Sequence, residues 1–174
     1  MRFLSGIITA FVLLLIAGAA FVATGSFDVA ASKPPGALEK RLAGFALDRS
    51  VAKRAPDRKN PVAASPEVLA RALRGYREMC VTCHGAPGVD PSEIGEGLNP
   101  PAPDLTLAKV QARSDGELFW IVSNGIRMTG MPAFGPTHKE QAIWNMVAFV
   151  RHLPELSKEE EKELRAGQEE EQGR

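Results

Sequence analysis

One pentapeptide, Cys80-Val81-Thr82-Cys83-His84, constrains this chain more than anything else in its 174 residues, and it holds both cysteines the sequence contains. The two are too close together to staple a domain, so the chain has no disulfide framework. Cys-x-x-Cys-His is the attachment pattern of a c-type haem, in which both thiols become thioethers and the adjacent imidazole reaches iron. Two intervening residues at the end of a helix set both sulfurs along one edge of a porphyrin, and the next residue turns its ring under the metal. A thioredoxin-like pair would need a βαβ setting, and none is visible. A structural zinc site would need four Cys or His ligands, and only His138 and His152 lie outside the motif.

The surrounding segments read as helices. Ser65-Pro66-Glu67 supplies a cap, a proline at the first helical position and an early acid, and Leu69, Ala72, Leu73, Tyr76 and Cys80 follow at helical spacing. This helix delivers the cysteines. Ser114-Asp115-Gly116-Glu117 fits a capping box before the apolar run Leu118 to Val122, which closes at Asn124-Gly125. Thr137-His138-Lys139-Glu140 fits the same box, and the helix that follows from Gln141 is expected to end at Pro154. No segment alternates convincingly as a strand. The fold class expected is all-α: three main helices with long loops around one covalently bound haem, plus an N-terminal transmembrane helix.

From Phe3 to Phe27 there is no charged residue, and Phe11 to Ile16 is apolar without interruption. That exceeds the roughly 7 to 15 residues of a signal-peptide core and suits the roughly 20 of a membrane span. Ala17-Gly18-Ala19 is a small-x-small sequence that a signal peptidase accepts, so a cleaved leader stays open beside the retained anchor. Lys33-Pro34-Pro35-Gly36 ends the segment. Leu38, Leu42 and Phe45 then recur at helical spacing among Lys40, Arg41, Arg49, Lys53 and Arg54, a short basic amphipathic helix. It either lies on anionic lipid or packs loosely on the globular domain or a partner subunit. Ala55 to Pro66, with three prolines, reads as a linker. The expected organisation is residues 1–27 anchor or uncleaved signal, 28–65 basic amphipathic segment and Pro-rich linker, 66–154 haem domain, and 155–174 acidic tail, either a solvated helix or disordered. Lys plus Arg and Asp plus Glu both number 21, so the balance gives no reason to expect nucleic acid as a partner.

A sixth iron ligand must come from outside the pentapeptide. Met128 and Met131 lie in a loop punctuated by glycine and proline between the second and third helices. Met131 is favoured: Gly130 lets the backbone approach closely and Pro132 stiffens the loop, whereas Met128 sits nearer the preceding helix end. Met79 adjoins Cys80 and cannot reach the opposite haem face, and Met146 falls mid-helix in the core. His138 and His152 occupy solvated helix-end positions.

These residues resemble the class I mono-haem cytochrome c domains, including those carried by haem subunits of bacterial terminal oxidases. The likeness covers roughly Pro66 to Leu153. Tyr76 stands at the aromatic position of the family's N-terminal helix and Ala72 at the small position where the C-terminal helix, here Phe149-Val150-Arg151-His152-Leu153, crosses it. Asn99-Pro100-Pro101-Ala102-Pro103-Asp104-Leu105 resembles the loop whose proline carbonyl accepts a hydrogen bond from the proximal histidine, without showing which proline does so. Gly130-Met131-Pro132-Ala133-Phe134 resembles the distal methionine loop. The resemblance implies one haem c and its iron, with Cys80 and Cys83 as covalent attachments and His84 and Met131 as axial ligands. It implies single-electron transfer between respiratory or photosynthetic redox proteins, by a free carrier or by a subunit of a larger oxidoreductase complex, and no enzymatic activity of its own. The competing class is an open-site haem enzyme or gas sensor, and a filled Met131 position separates the two. Because haem c is attached outside the bacterial cytoplasm, the expected setting is a single-pass inner-membrane protein in contact with membrane lipid, its haem domain in the periplasm.

Overall fold

The computed structural model describes residues 2–172, so Met1 of the expected anchor and the last two residues of the expected tail lie outside the described residues. The chain divides into two units, one reaching to Ala30 and one beginning at Ala31.

The first unit is one helix, α1 (Arg2–Ala23), with no buried residue. At 1.5 Å per residue its 22 residues extend about 33 Å, close to the roughly 30 Å hydrocarbon thickness of a bilayer. By length and composition it is a candidate membrane span. It stops where Gly25 takes a left-handed φ of 71°: the Gly25 amide donates to Val22 and the Ser26 amide to Phe21, the paired bonds of a Schellman stop.

The second unit contains α2 (Ala37–Arg54), α3 (Pro66–Met79), α4 (Val81–His84), α5 (Glu93–Glu96), α6 (Ala108–Gln111), α7 (Asp115–Asn124), α8 (Glu140–His152) and α9 (Lys158–Gln172). No strand forms among the described residues; Ala86 and Val89 make an isolated bridge. α8 is the centre of the unit, with Ile143 through Val150 buried without a break. One side of it meets α3: Ala72, Leu73, Tyr76, Met146 and Phe149 share a core, the Tyr76 and Phe149 rings 5.2 Å apart. The other side meets α6 and α7, where Val110, Leu118, Val147 and Val150 pack around Trp144 and Phe119 stacks on the indole at 4.2 Å. Each such apolar side chain contributes roughly 1.5–3 kcal/mol through burial. Arg151 pins α8 to the α6–α7 side, bonding the carboxylate of Asp115 and the carbonyls of Gln111 and Arg113.

The caps at Ser65 and Ser114 form as expected, the latter a complete capping box with Glu117. The third box does not. The amides of Thr137 and His138 both donate to the Phe134 carbonyl, which closes a separate turn, so α8 begins at Glu140 after Lys139. Glu140 is drawn to Arg58 and to the Trp144 indole N–H instead.

Three segments outside the helical core carry contacts that composition and periodicity did not specify. The stretch after α2, read as a linker, is strapped to the domain. Asn60 ties it down: its amide donates to Asp115, its side-chain N–H to the Trp144 carbonyl, and its Oδ1 accepts from the Val62 amide, while the Arg58 guanidinium lies 4.8 Å above the indole. Gly116 permits this, because a Cβ there would stand 1.8 Å from the Pro56 carbonyl oxygen. α2 docks on α7 through Val51, which is wholly buried, and not through Leu38, Leu42 and Phe45, which are exposed. The tail is helical and anchored: Leu164 is wholly buried in the α3 core, and Arg165 donates to the Gly88 carbonyl.

Candidate functional site

Cys80 is the C-cap of α3 and the N-cap of α4, so the pentapeptide turns directly off the end of the helix expected to deliver it. Both thiols are free and partly exposed. Burial pushes the Cys80 thiol up to about 12, with the neighbouring Cys83 adding to the effect, so the group is held as a neutral thiol.

His84 is half-buried and its Nδ1 lies 2.8 Å from the Pro103 carbonyl oxygen. A carbonyl only accepts, so Nδ1 carries the proton and Nε2 is left with its lone pair free. Desolvation by burial lowers the pKa of the ring, against the opposing pull of the Pro103 bond, and so favours the neutral imidazole that can ligate a metal. Pro103 is the proline that the loop Asn99 to Leu105 left open. After His84 the chain reverses at Gly85, whose φ of 59° and 2.5 Å approach to the Val89 carbonyl leave no room for a Cβ. The Tyr76 hydroxyl donates to the Gly85 carbonyl at 2.6 Å and ties that turn back to α3. This Tyr76 bond and the Pro103 carbonyl are the positioning contacts that residue patterns alone did not assign.

The proximal set is therefore one unit. Met131 belongs to a different segment, but a chain of close packing joins the two. Gly95 of α5 lies against the pentapeptide, since a Cβ there would be 2.5 Å from the Thr82 carbonyl and 3.0 Å from Cys83 Cα. Leu98, just beyond α5, packs on Gly130, where a Cβ would come within 2.6 Å of its Cδ2. Met131 follows immediately, its amide donating to Thr129 Oγ1 and its carbonyl accepting from the Ile126 amide. Met131 is partly buried in this loop, whereas Met128 is 91 % exposed with a left-handed φ of 61°.

An apolar cleft opens at Cys80, walled by Gly75, Met79, Val122, Phe134, Ile143 and Met146. His138 faces this cleft rather than solvent alone, edge-on to Phe134 at 5.4 Å. His152 pairs with Glu160 of α9 at 3.0 Å, away from the pentapeptide. Among the described residues no three His, Cys, Asp or Glu side chains gather as a metal cluster, which leaves the zinc reading without its ligands. Two free thiols with two residues between them, a neutral imidazole with Nε2 available and an apolar wall beside the first thiol fit a covalently held haem.

Comparison with known proteins bears on the same segment. Residues 67–150 match the sequence model of the family described as cytochrome C oxidase, cbb3-type, subunit III. No curated protein matches the chain.

Proposed function

We propose that this chain, whose residues 67–150 match the sequence model of the cbb3-type subunit III family, is a membrane-anchored protein passing single electrons between redox partners. The observation that carries this reading is the orientation of His84: its Nδ1 is committed to Pro103, which leaves the lone pair on Nε2, in the residue that directly follows the second of two free thiols. A bound haem c supplies a ferrous/ferric couple, and the chain's own residues hold and tune it. Cys80 and Cys83 would form the thioethers. His84 would ligate through Nε2, with the Pro103 carbonyl fixing its tautomer and raising its basicity. Met131 would provide a soft sulfur ligand, which would favour the ferrous state and fill the position a substrate would need. No proton need move with the electron, and the assignment calls for no acid or base at the site.

The family match favours one refinement, that the electron passes within a larger oxidoreductase complex of which this chain is a fixed subunit. α1 supports a single-pass anchor. Thioether attachment supports a periplasmic haem domain at a bacterial inner membrane, with Arg2 on the cytoplasmic side. Two measurements test the reading. Colour should stay with the polypeptide through denaturation and acid-acetone extraction, and either Cys80→Ser or Cys83→Ser should assemble poorly; extractable colour in wild type would overturn covalent attachment. The native protein should remain with membranes through carbonate washing, and release of a product starting after Ala19 would show a cleaved leader.

A further inference from the structure

α2 has two apolar faces, and among the described residues one of them is packed. Val51, wholly buried, anchors the helix to α7, with Gly44 and Leu47 partly covered on the same side. At about 100° per residue, Leu38, Leu42 and Phe45 fall roughly opposite Val51. These large apolar residues are 71 %, 61 % and 68 % exposed. Arg41, Arg49 and Lys53 lie in the same arc of about 120°, all exposed. The acids of α2, Glu39 and Asp48, fall outside that arc, and Asp48 is drawn to Arg113 at 2.6 Å. An apolar stripe interleaved with cations and free of acids is the surface of a helix that lies in a lipid interface.

Connectivity favours the same occupant. Thr24 to Gly36 separates α1 from α2, and a span of 13 residues extends at most about 45 Å. With α1 in a bilayer, the start of α2 stays within that reach of its surface. We propose that α2 is a second, interfacial contact with an anionic membrane, its Leu38, Leu42 and Phe45 inserted below the headgroups and Arg41, Arg49 and Lys53 among the phosphates. The proposal rests on the reading of α1 as a retained anchor. Because Val51 and the strap from Pro56 to Asn60 fix α2 to the haem domain, this contact would hold that domain in one orientation at the membrane instead of leaving it to swing on a tether.

The test uses the full-length holoprotein with single cysteines for nitroxide labelling at Leu42, Phe45 and Ala43, the last exposed and off the stripe. Vesicles of phosphatidylglycerol and of phosphatidylcholine are compared, with flotation reporting association and collision with oxygen or a water-soluble nickel chelate reporting depth. The result expected is loss of nickel accessibility at positions 42 and 45, retention at 43, and weakening of the difference in phosphatidylcholine. Flotation with labels at 42 and 45 fully nickel-accessible overturns the interfacial contact while leaving the anchor intact, as does shielding that appears only when another protein subunit is added. Flotation only on phosphatidylglycerol, with 42 and 45 shielded, supports the interfacial contact and overturns the anchor. Failure to float on either lipid overturns both.

Discussion

The hydroxyl of Tyr76 is one oxygen atom whose removal isolates a single interaction at the site. The ring is wholly buried between α3 and α8, and its O–H donates at 2.6 Å to the carbonyl of Gly85, the residue after His84. Burial, the largest cause, pushes the phenol well above its ordinary pKa, so the donor is present at every working pH. Tyr76→Phe keeps the ring and its 5.2 Å contact with Phe149 and leaves the Gly85 carbonyl without this donor. An orphaned buried acceptor costs about 1–3 kcal/mol, a change of roughly 5- to 150-fold in the folding equilibrium at 1.4 kcal/mol per tenfold. For a folded unit that begins at Ala31 and includes the docked α2 and tail, the melting temperature moves by about 2–4 °C per kcal/mol. Guanidinium unfolding of the holoprotein, followed by far-ultraviolet circular dichroism, reads the midpoint directly, and the slope should not change because the ring remains buried. A shift within about 0.5 kcal/mol, the range of inconsequential surface changes, would refute the claim that this bond secures the turn carrying His84.

Two further changes probe the supports of the domain. Gly116→Ala places a methyl group 1.8 Å from the Pro56 carbonyl, so the strap must leave; losing the two Asn60 bonds at about 1 kcal/mol each should cost about 2 kcal/mol and raise amide exchange over residues 56–62, whereas Gly44→Ala, with open space around it, should be neutral or slightly stabilising. Unchanged exchange in the first variant would contradict the strap. Burial works to raise the Asp115 carboxyl, but the bonds from Asn60 and Arg151 and the nearby Lys59 outweigh it and hold the group below its ordinary value. A depressed folded-state pKa contributes stability above the unfolded value of about 3.9, and that contribution is lost as pH falls through the folded value. Asp115→Asn should therefore flatten the acid limb of the stability curve below about pH 5, and parallel curves for variant and wild type would exclude the role.

Local rules carried most of what was legible in the sequence. Ser65 and Ser114 announce α3 and α7 because a cap needs only its own next three residues, and the pentapeptide is likewise a local pattern. The errors begin where a residue's partner is distant. Thr137 and Glu140 have the spacing of a capping box, yet Arg58, 82 residues away in sequence, takes the glutamate. Pro100, Pro101 and Pro103 are equivalent in sequence, and only the folded loop brings the Pro103 carbonyl to His84. Ala55 to Pro66 has linker composition, and its one clue was a glycine inside the Ser114 box, placed where the chain must admit Pro56. The stripe of Leu38, Leu42 and Phe45 drew attention away from Val51, because a helix with two apolar faces does not say which one its own domain covers. In the tail, the single Leu164 among glutamates is enough to dock α9, a signal too sparse for periodicity to detect.

The account depends on Met131 completing the iron's coordination, and ligation is directly observable. Ferric wild-type protein should show the weak near-infrared sulfur-to-iron band and its ferrous form should resist carbon monoxide; Met131→Ala should lose both properties, and Met128→Ala, altering a residue 91 % exposed to solvent, should keep them. Ready carbon monoxide binding by wild-type protein, with no such band, would mean an open iron and would contradict the electron-carrier reading in favour of a haem enzyme or gas sensor.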